Sequence, residues 1–320
     1  MNKQNIINKP TSKYKVVAFY CFLTISKEQI SYLREKLISC AKKYKIMGTI
    51  LLAEEGFNGT VCAYEDGAQR LIEILKSISE QRTFELKFSW TSAQAFRRFK
   101  VKWKKEIVTM GQPKLDLRKE VGEYIAAEEW NHLIQDPQTL VIDTRNSYEV
   151  SIGTFEGAIN PNTDCFRDFP SWVDQNLPSL LEQTNTRKIA MFCTGGIRCE
   201  KATSYIQSKG FENIYHLNGG ILRYLEIVPK EESLWHGECF VFDQRVALNH
   251  ELSPGEHSLC HACGMPLNNS DRENSKYIRG VQCHHCKDLF SENDRLRFAE
   301  RQRQYDERSE QLPPPRFNYI

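Results

Sequence analysis

The chain has 320 residues, 40% of them hydrophobic and 26% charged, with a formal net charge of +2; these values exclude a disordered, fibrous or single small-module protein and predict two or three packed domains. The start, MNKQNIINKPTSKYK, has no apolar stretch of the signal-peptide kind, and the run at residues 16–23 is too short to cross a bilayer, so a cytoplasmic protein without a membrane partner is expected. Eleven cysteines, four of them in two C-x-x-C pairs, point in such a chain to metal binding and thiol chemistry rather than disulfides.

Along the chain, residues 15–23 are rich in β-formers, and residues 27–44 space Ile30, Leu33, Leu37, Ile38 and Ala41 on one helical face. Strands are expected at 48–53 and 60–64 around a Gly/Asn turn at 55–59, then a helix at 66–79 and a strand at 84–90. That order, βαββαβ, is ferredoxin-like, and it defines an α+β N-terminal domain placed at residues 1–112.

The composition shifts at residues 91–110. Arg97, Arg98, Lys100, Lys102, Lys104 and Lys105 alternate with Phe96, Phe99, Val101 and Trp103. Cations for phosphates and rings for bases suit single-stranded RNA. A solvated edge strand guarded by lysines fits the pattern equally well.

A connection through Gly111, Pro113 and Gly122 leads to a second α/β pattern near Ala126. Residues 139–142 and 188–192 read as buried parallel strands, 199–209 as a helix, and 213–217 as a strand before a Gly-Gly turn. This parallel α/β domain is placed at residues 126–228. Beyond Pro229 the chain turns rich in Cys, His, Asn and Gly, giving a cysteine-rich module at 235–300 and a charged, helical tail at 301–320 that runs into Pro313-Pro314-Pro315.

The segment KIAMFCTGGIRCEKA puts Cys193 at the end of a buried strand, before a loop of Thr194, Gly195, Gly196, Ile197 and Arg198 and a following helix. Glycines let backbone N–H groups converge on one point, and the helix N-terminus adds positive potential, so Cys193 is expected as a thiolate of depressed pKa. Arg198 closes the loop with a forked donor suited to an anionic intermediate or a phosphate. Cys199 either resolves a persulfide or packs. Asp143 and Arg145 are expected to orient the loop.

The C-x4-R spacing, with Asp143-Thr144-Arg145, Tyr148-Glu149, Gly157-Ala158-Ile159-Asn160 and the run 215–220 in order, resembles rhodanese-like sulfurtransferases. Cys260, Cys263, Cys283 and Cys286 form C-x2-C-x19-C-x2-C, the spacing of a zinc-ribbon-like module in which four thiolates surround a structural zinc. No flavin, haem or nucleotide motif is present.

With Glu55-Gly56-Phe57-Asn58-Gly59-Thr60, the loop 193–201 and the run 235–246, nearly the whole chain resembles the rhodanese-domain tRNA uridine hydroxylases. Phe57 stands where an aliphatic residue is expected in that family, a conservative departure. The resemblance implies oxygen-dependent conversion of wobble uridine to 5-hydroxyuridine, molecular oxygen as co-substrate, tRNA bound at its anticodon region, and Cys193 as the essential residue. With it, the RNA reading of residues 96–105 is favoured. A persulfide sulfurtransferase and a non-catalytic RNA-binding scaffold are the rival readings.

Overall fold

The computed structural model describes residues 14–79, 84–112, 115, 117 and 121–308, and the chain divides into two compact units, Met1–Thr109 and Met110–Ile320. The polar start at 1–13, Pro113 of the connection and the end of the tail at 309–320 lie outside the described residues.

In the first unit, β1 (Tyr14–Phe22), α1 (Lys27–Tyr44), β2 (Met47–Ala53), β3 (Gly56–Ala63), α2 (Glu65–Lys76) and β4 (Glu85–Thr91) follow the βαββαβ order. The sheet runs β4-β1-β3-β2 and gains a fifth strand, β5 (Phe99–Trp103), parallel to β2 at its edge. α1 starts where Ser26 and Gln29 exchange side-chain and backbone hydrogen bonds, a capping box that satisfies two otherwise orphaned N–H groups. Because side chains alternate across a strand, Val17 packs with Leu33, Leu37, Leu71 and Leu75 of the helices, while Val16 and Cys62 pack with Ala95 and Phe96.

Two expectations change here. β3 begins at Gly56, and Gly59, expected in a turn, pairs with Phe19 and Ile50 in the ladders. The Phe19 ring and the Thr49 carbonyl fill the space a side chain at 59 would need, so this glycine marks close packing rather than a turn. Ile38, assigned to the buried face of α1, is 41% exposed, and Cys40 is buried instead. At the head of β3, Glu55 Oε1 accepts from Ile107 N–H at 2.7 Å and Asn58 Nδ2 donates to Ile107 O at 2.9 Å, fastening the chain beyond β5.

The second unit holds β6 (Glu123–Ile125), α3 (Ala127–Gln135), β7 (Thr139–Asp143), α4 (Ser147–Val150), β8 (Gly153–Phe155), α5 (Phe169–Thr184), β9 (Lys188–Phe192), α6 (Ile197–Ser208), β10 (Ile214–Leu217) and α7 (Gly220–Ile227). Its main sheet is wholly parallel, in the order β6-β10-β9-β7. Burial on both faces makes β7 and β9 continuous apolar runs, which is why they were legible. Trp130 of α3 and Tyr224 of α7 pack with Phe155 and Phe192.

Beyond α7 the chain returns to this core. β11 (Trp235–Gly237) pairs antiparallel with β8, and Trp235 and Cys239 join the same apolar cluster. The hairpin of β12 (Cys239–Phe240) and β13 (Ala247–Leu248) follows, then β14 (Ser258–Leu259), β15 (Pro266–Leu267), α8 (Asn269–Glu273) and the charged α9 (Glu292–Arg308).

α7 seats the loop that follows β9: Ile221 N–H donates to Cys193 O at 3.0 Å and Leu222 N–H to Thr194 O at 3.1 Å. The approach is so close that a Cβ on Gly220, at φ +66°, would lie 2.4 Å from Cys193 O. Gly220→Ala is therefore expected to lower stability by about 2–4 kcal/mol, strain and backbone collision combined, in denaturant unfolding of the full chain. An unchanged midpoint would show that α7 does not seat the loop.

Candidate active site

β9 carries Cys193 to the carboxyl end of the parallel sheet, the end at which such sheets bind ligands. The six residues Cys193–Arg198 then turn into α6, with Gly196 as its N-cap at φ +98°. The turn aims amides inward. Gly196 N–H donates to Cys193 Sγ at 3.1 Å, while the loop carbonyls are taken by α7, so the N-terminal ends of two helices serve one loop.

Cys193 is 0% exposed. Burial alone pushes its thiol up, but the Cys199 thiol as donor, the Arg198 charge and the N–H groups of Arg198 and Cys199 outweigh it and bring the pKa down to about 5. Cys199 moves the opposite way: burial and its hydrogen bond to Cys193 raise it well above an ordinary thiol. The pair thus holds one thiolate and one thiol. Thr144 Oγ1 lies 3.7 Å from Cys199 Sγ and donates to Phe192 O at 3.0 Å.

The fork of Arg198, expected to await an anion, is occupied. Nη1 and Nη2 donate to the Glu149 carboxylate at 2.6 and 2.8 Å, and Nη2 reaches Thr194 Oγ1 at 3.4 Å. Burial resists the Glu149 charge, yet the Arg198 charge and hydrogen bonds hold its carboxyl below the usual range. Arg198 therefore acts on Cys193 through its charge while its planar fork fixes the loop.

Asp143 and Arg145, both 0% exposed, form a second pair, with Nε to Oδ1 at 2.9 Å and Nη2 to Oδ2 at 2.6 Å. Arg145 also donates to Gly153 O at 2.6 Å and lies 5.1 Å from the Trp235 ring centre, so it ties β7, β8 and β11 together beside the loop. Of the loop residues named from the sequence, Gly196, Arg198 and Cys199 act directly on Cys193, and Thr194 bonds Arg198. Glu149, given no role there, is the residue that was missed. Its signal was the pattern Asn146-x-x-Glu149, a capping box in which Glu149 Oε2 accepts from Asn146 N–H at 3.1 Å.

The Sγ atoms of Cys260, Cys263, Cys283 and Cys286 lie within 4.8 Å of one another, with 3.7 Å for Cys263–Cys283 and Cys283–Cys286 and 3.9 Å for Cys260–Cys286. Four thiolates about 2.3 Å from a tetrahedral zinc stand about 3.8 Å apart, so donor set and spacing fit that ion. His261 bonds Gln302 at 3.1 Å, and the ring centres of His284 and His285 lie 3.8 Å apart with the planes tilted by 41°.

The basic strip belongs to the first unit. Its apolar partners Phe96 and Val101 are core residues and Phe99 is half-buried against the core, whereas Trp103, on the edge strand β5, is 46% exposed and is the one ring of the strip that is open to stacking. No helix among the described residues is long and apolar enough to cross a membrane.

Residues 14–107 match the family described as "UPF0176 acylphosphatase like domain", and residues 126–226 the "Rhodanese-like domain". The chain is 59% identical over 296 residues to the tRNA uridine(34) hydroxylase of Prochlorococcus marinus strain MIT 9313, covering 92% of this chain and 96% of that protein. The protein of the same name from Parasynechococcus marenigrum strain WH8102 is 55% identical over 303 residues, 93% of this chain and 94% of its own. Likeness of this length reaches far beyond the rhodanese-like segment, whose loop is common to other chemistries, and the chain belongs to the tRNA uridine(34) hydroxylase family.

Proposed function

We infer that this chain hydroxylates uridine in tRNA, converting the wobble-position base to 5-hydroxyuridine with molecular oxygen as co-substrate, in the cytoplasm. The observation that carries this reading is likeness over 92% of the chain to proteins of that name, joined to a loop built to hold Cys193 as a thiolate.

Uracil is electron-poor at C6, and a nucleophile added there makes C5 an electron-rich enolate. Cys193 supplies that nucleophile, as thiolate or as persulfide. The persulfide form extends the reach by about 2 Å, which suits a sulfur that is 0% exposed. The enolate captures oxygen at C5; two electrons and two protons from an external donor release the second oxygen atom as water. Loss of the C5 proton and of sulfur from C6 then restores the ring. The loop amides and Arg198 hold the negative charge that appears nearby.

Arg97, Arg98, Lys100, Lys102, Lys104 and Lys105 contact phosphates near the anticodon. Cys260, Cys263, Cys283 and Cys286 hold one structural zinc. With four thiolates bound, that ion has no open position for water, and its role is to stand in for a core: the cluster there consists of Leu267 and the cysteines themselves, with a few half-buried neighbours.

Three outcomes are expected. Unmodified tRNA incubated in air with the protein and a reductant gains one oxygen on uridine by nucleoside mass analysis, and Cys193→Ser abolishes the gain; a sulfur gain would instead make the chain a sulfurtransferase. Alkylation of the Cys193 peptide is flat between pH 7 and 8, where an ordinary thiol gains roughly tenfold, and falls only as pH drops through about 5. The sign follows from the depressed pKa: thiolate stabilisation is complete above the unfolded-state value and is lost toward pH 5. Elemental analysis of untagged protein gives one zinc per chain, and Cys283→Ser lowers that content; a metal-free protein with an unaltered melting curve would remove the zinc assignment.

A further inference from the structure

A groove of about 720 Å³ runs between α1 and the β5 edge of the first unit. From α1 and its C-cap it is lined by Arg34, Ile38, Lys42 and Lys45, residues at i, i+4, i+8 and i+11 and hence on one helical face. From the opposite side come Arg97, Arg98, Lys100 and Lys102, with Phe99 and Val101 between them. No acidic side chain is among its lining residues.

Guarding an unpaired strand edge explains lysines on β5 but not cations brought from a helix. Like charges gathered this closely repel, and at physiological salt screening reaches only about 8 Å, so the cluster favours an anion that lies across it. Ile38, 41% exposed between Arg34 and Lys42, gives the same groove an apolar contact. Apolar contact flanked by cations suits a ribose and base edge held between phosphates.

We propose that this groove is a binding site for the phosphodiester backbone of tRNA, with α1 supplying Arg34, Lys42 and Lys45 as contacts additional to those of β5. The proposal rests on tRNA being the substrate. The site is shaped for backbone, not sequence, so its contribution is to affinity and register and not to the choice of uridine.

The test is binding of unmodified tRNA to the full chain across a salt series. The variant Arg34→Gln/Lys42→Gln/Lys45→Asn removes three charges, with asparagine chosen at 45 because Lys45 has φ +53° and asparagine tolerates that conformation. Its Kd at physiological salt rises about tenfold or more, and the slope of log K against log salt becomes shallower by about 2. Lys36→Gln/Lys43→Gln, on α1 but outside the groove, stays within about twofold of wild type. Wild-type binding with an unchanged slope and affinity in the groove variant overturns the proposal while leaving tRNA as substrate. Wild-type protein that binds no tRNA overturns both. Loss of binding to phosphatidylserine vesicles with tRNA affinity intact would make the groove a membrane surface and also overturn it.

Discussion

A negative sulfur sealed from water is the constraint around which the second unit is built. An uncompensated ion in a protein interior costs several kcal/mol, so Cys193 persists as a thiolate only because donors surround it. The Gly196 amide, the Cys199 thiol and the Arg198 charge supply that compensation. Each then carries its own requirement. Arg198 is itself buried and needs Glu149; Glu149 is buried and needs the Asn146 amide as well; the loop carbonyls, turned away from sulfur, need the first N–H groups of α7. One charge thus dictates the neighbours of half the sheet's carboxyl end.

The same logic explains why the run at 235–246 accompanies the loop in this chain. Asp243 and Arg245 repeat the geometry of Asp143 and Arg145, with Nε to Oδ1 at 2.9 Å and Nη2 to Oδ2 at 2.6 Å. An Asp-x-Arg turn makes a rigid ion pair from three residues, and only a planar fork can do so; lysine offers a single point of charge. The first pair joins β7, β8 and β11, and the second stiffens the hairpin that carries Phe240. Phe240, in the hairpin stiffened by the second, receives the Tyr148 ring at 5.2 Å, and its carbonyl stands 3.5 Å from Thr194 Oγ1. Trp235 covers Arg145. A segment that looked in sequence like the start of a cysteine-rich stretch contributes here to the core beside Cys193.

What the sequence made legible follows from how local the cause is. β9 at Lys188–Phe192 and α1 at Lys27–Tyr44 match their expected bounds, because an unbroken apolar run and a capped periodic stretch are set by nearby residues. The loop was legible for the same reason. The failures are all tertiary. Gly59 reads as a turn until Phe19 is known to lie over it, and Phe96 reads as a stacking ring until the sheet face it covers is seen. Ile38 obeys the helical period of the core and yet is exposed, because it lines the groove between α1 and β5 instead of the core that holds Leu33 and Leu37. Glu149 had a visible local role as a capping residue, which concealed its second role as the partner of Arg198, 49 positions away.

The net charge of +2 conceals two opposite treatments of charge. Around Cys193 the buried cations are matched: Arg145 by Asp143 and Arg198 by Glu149. In the groove of the first unit, Arg34, Lys42, Lys45, Arg98 and Lys102 make no ion pair among the described residues. The two respond differently to salt. Ions in solution screen exposed cations beyond about 8 Å at physiological strength, whereas a pair from which water is excluded is screened far less. If the groove captures tRNA as proposed, rising ionic strength weakens that capture while the buried thiolate and its ion pairs are screened far less, so affinity and chemistry would answer to separate electrostatic designs.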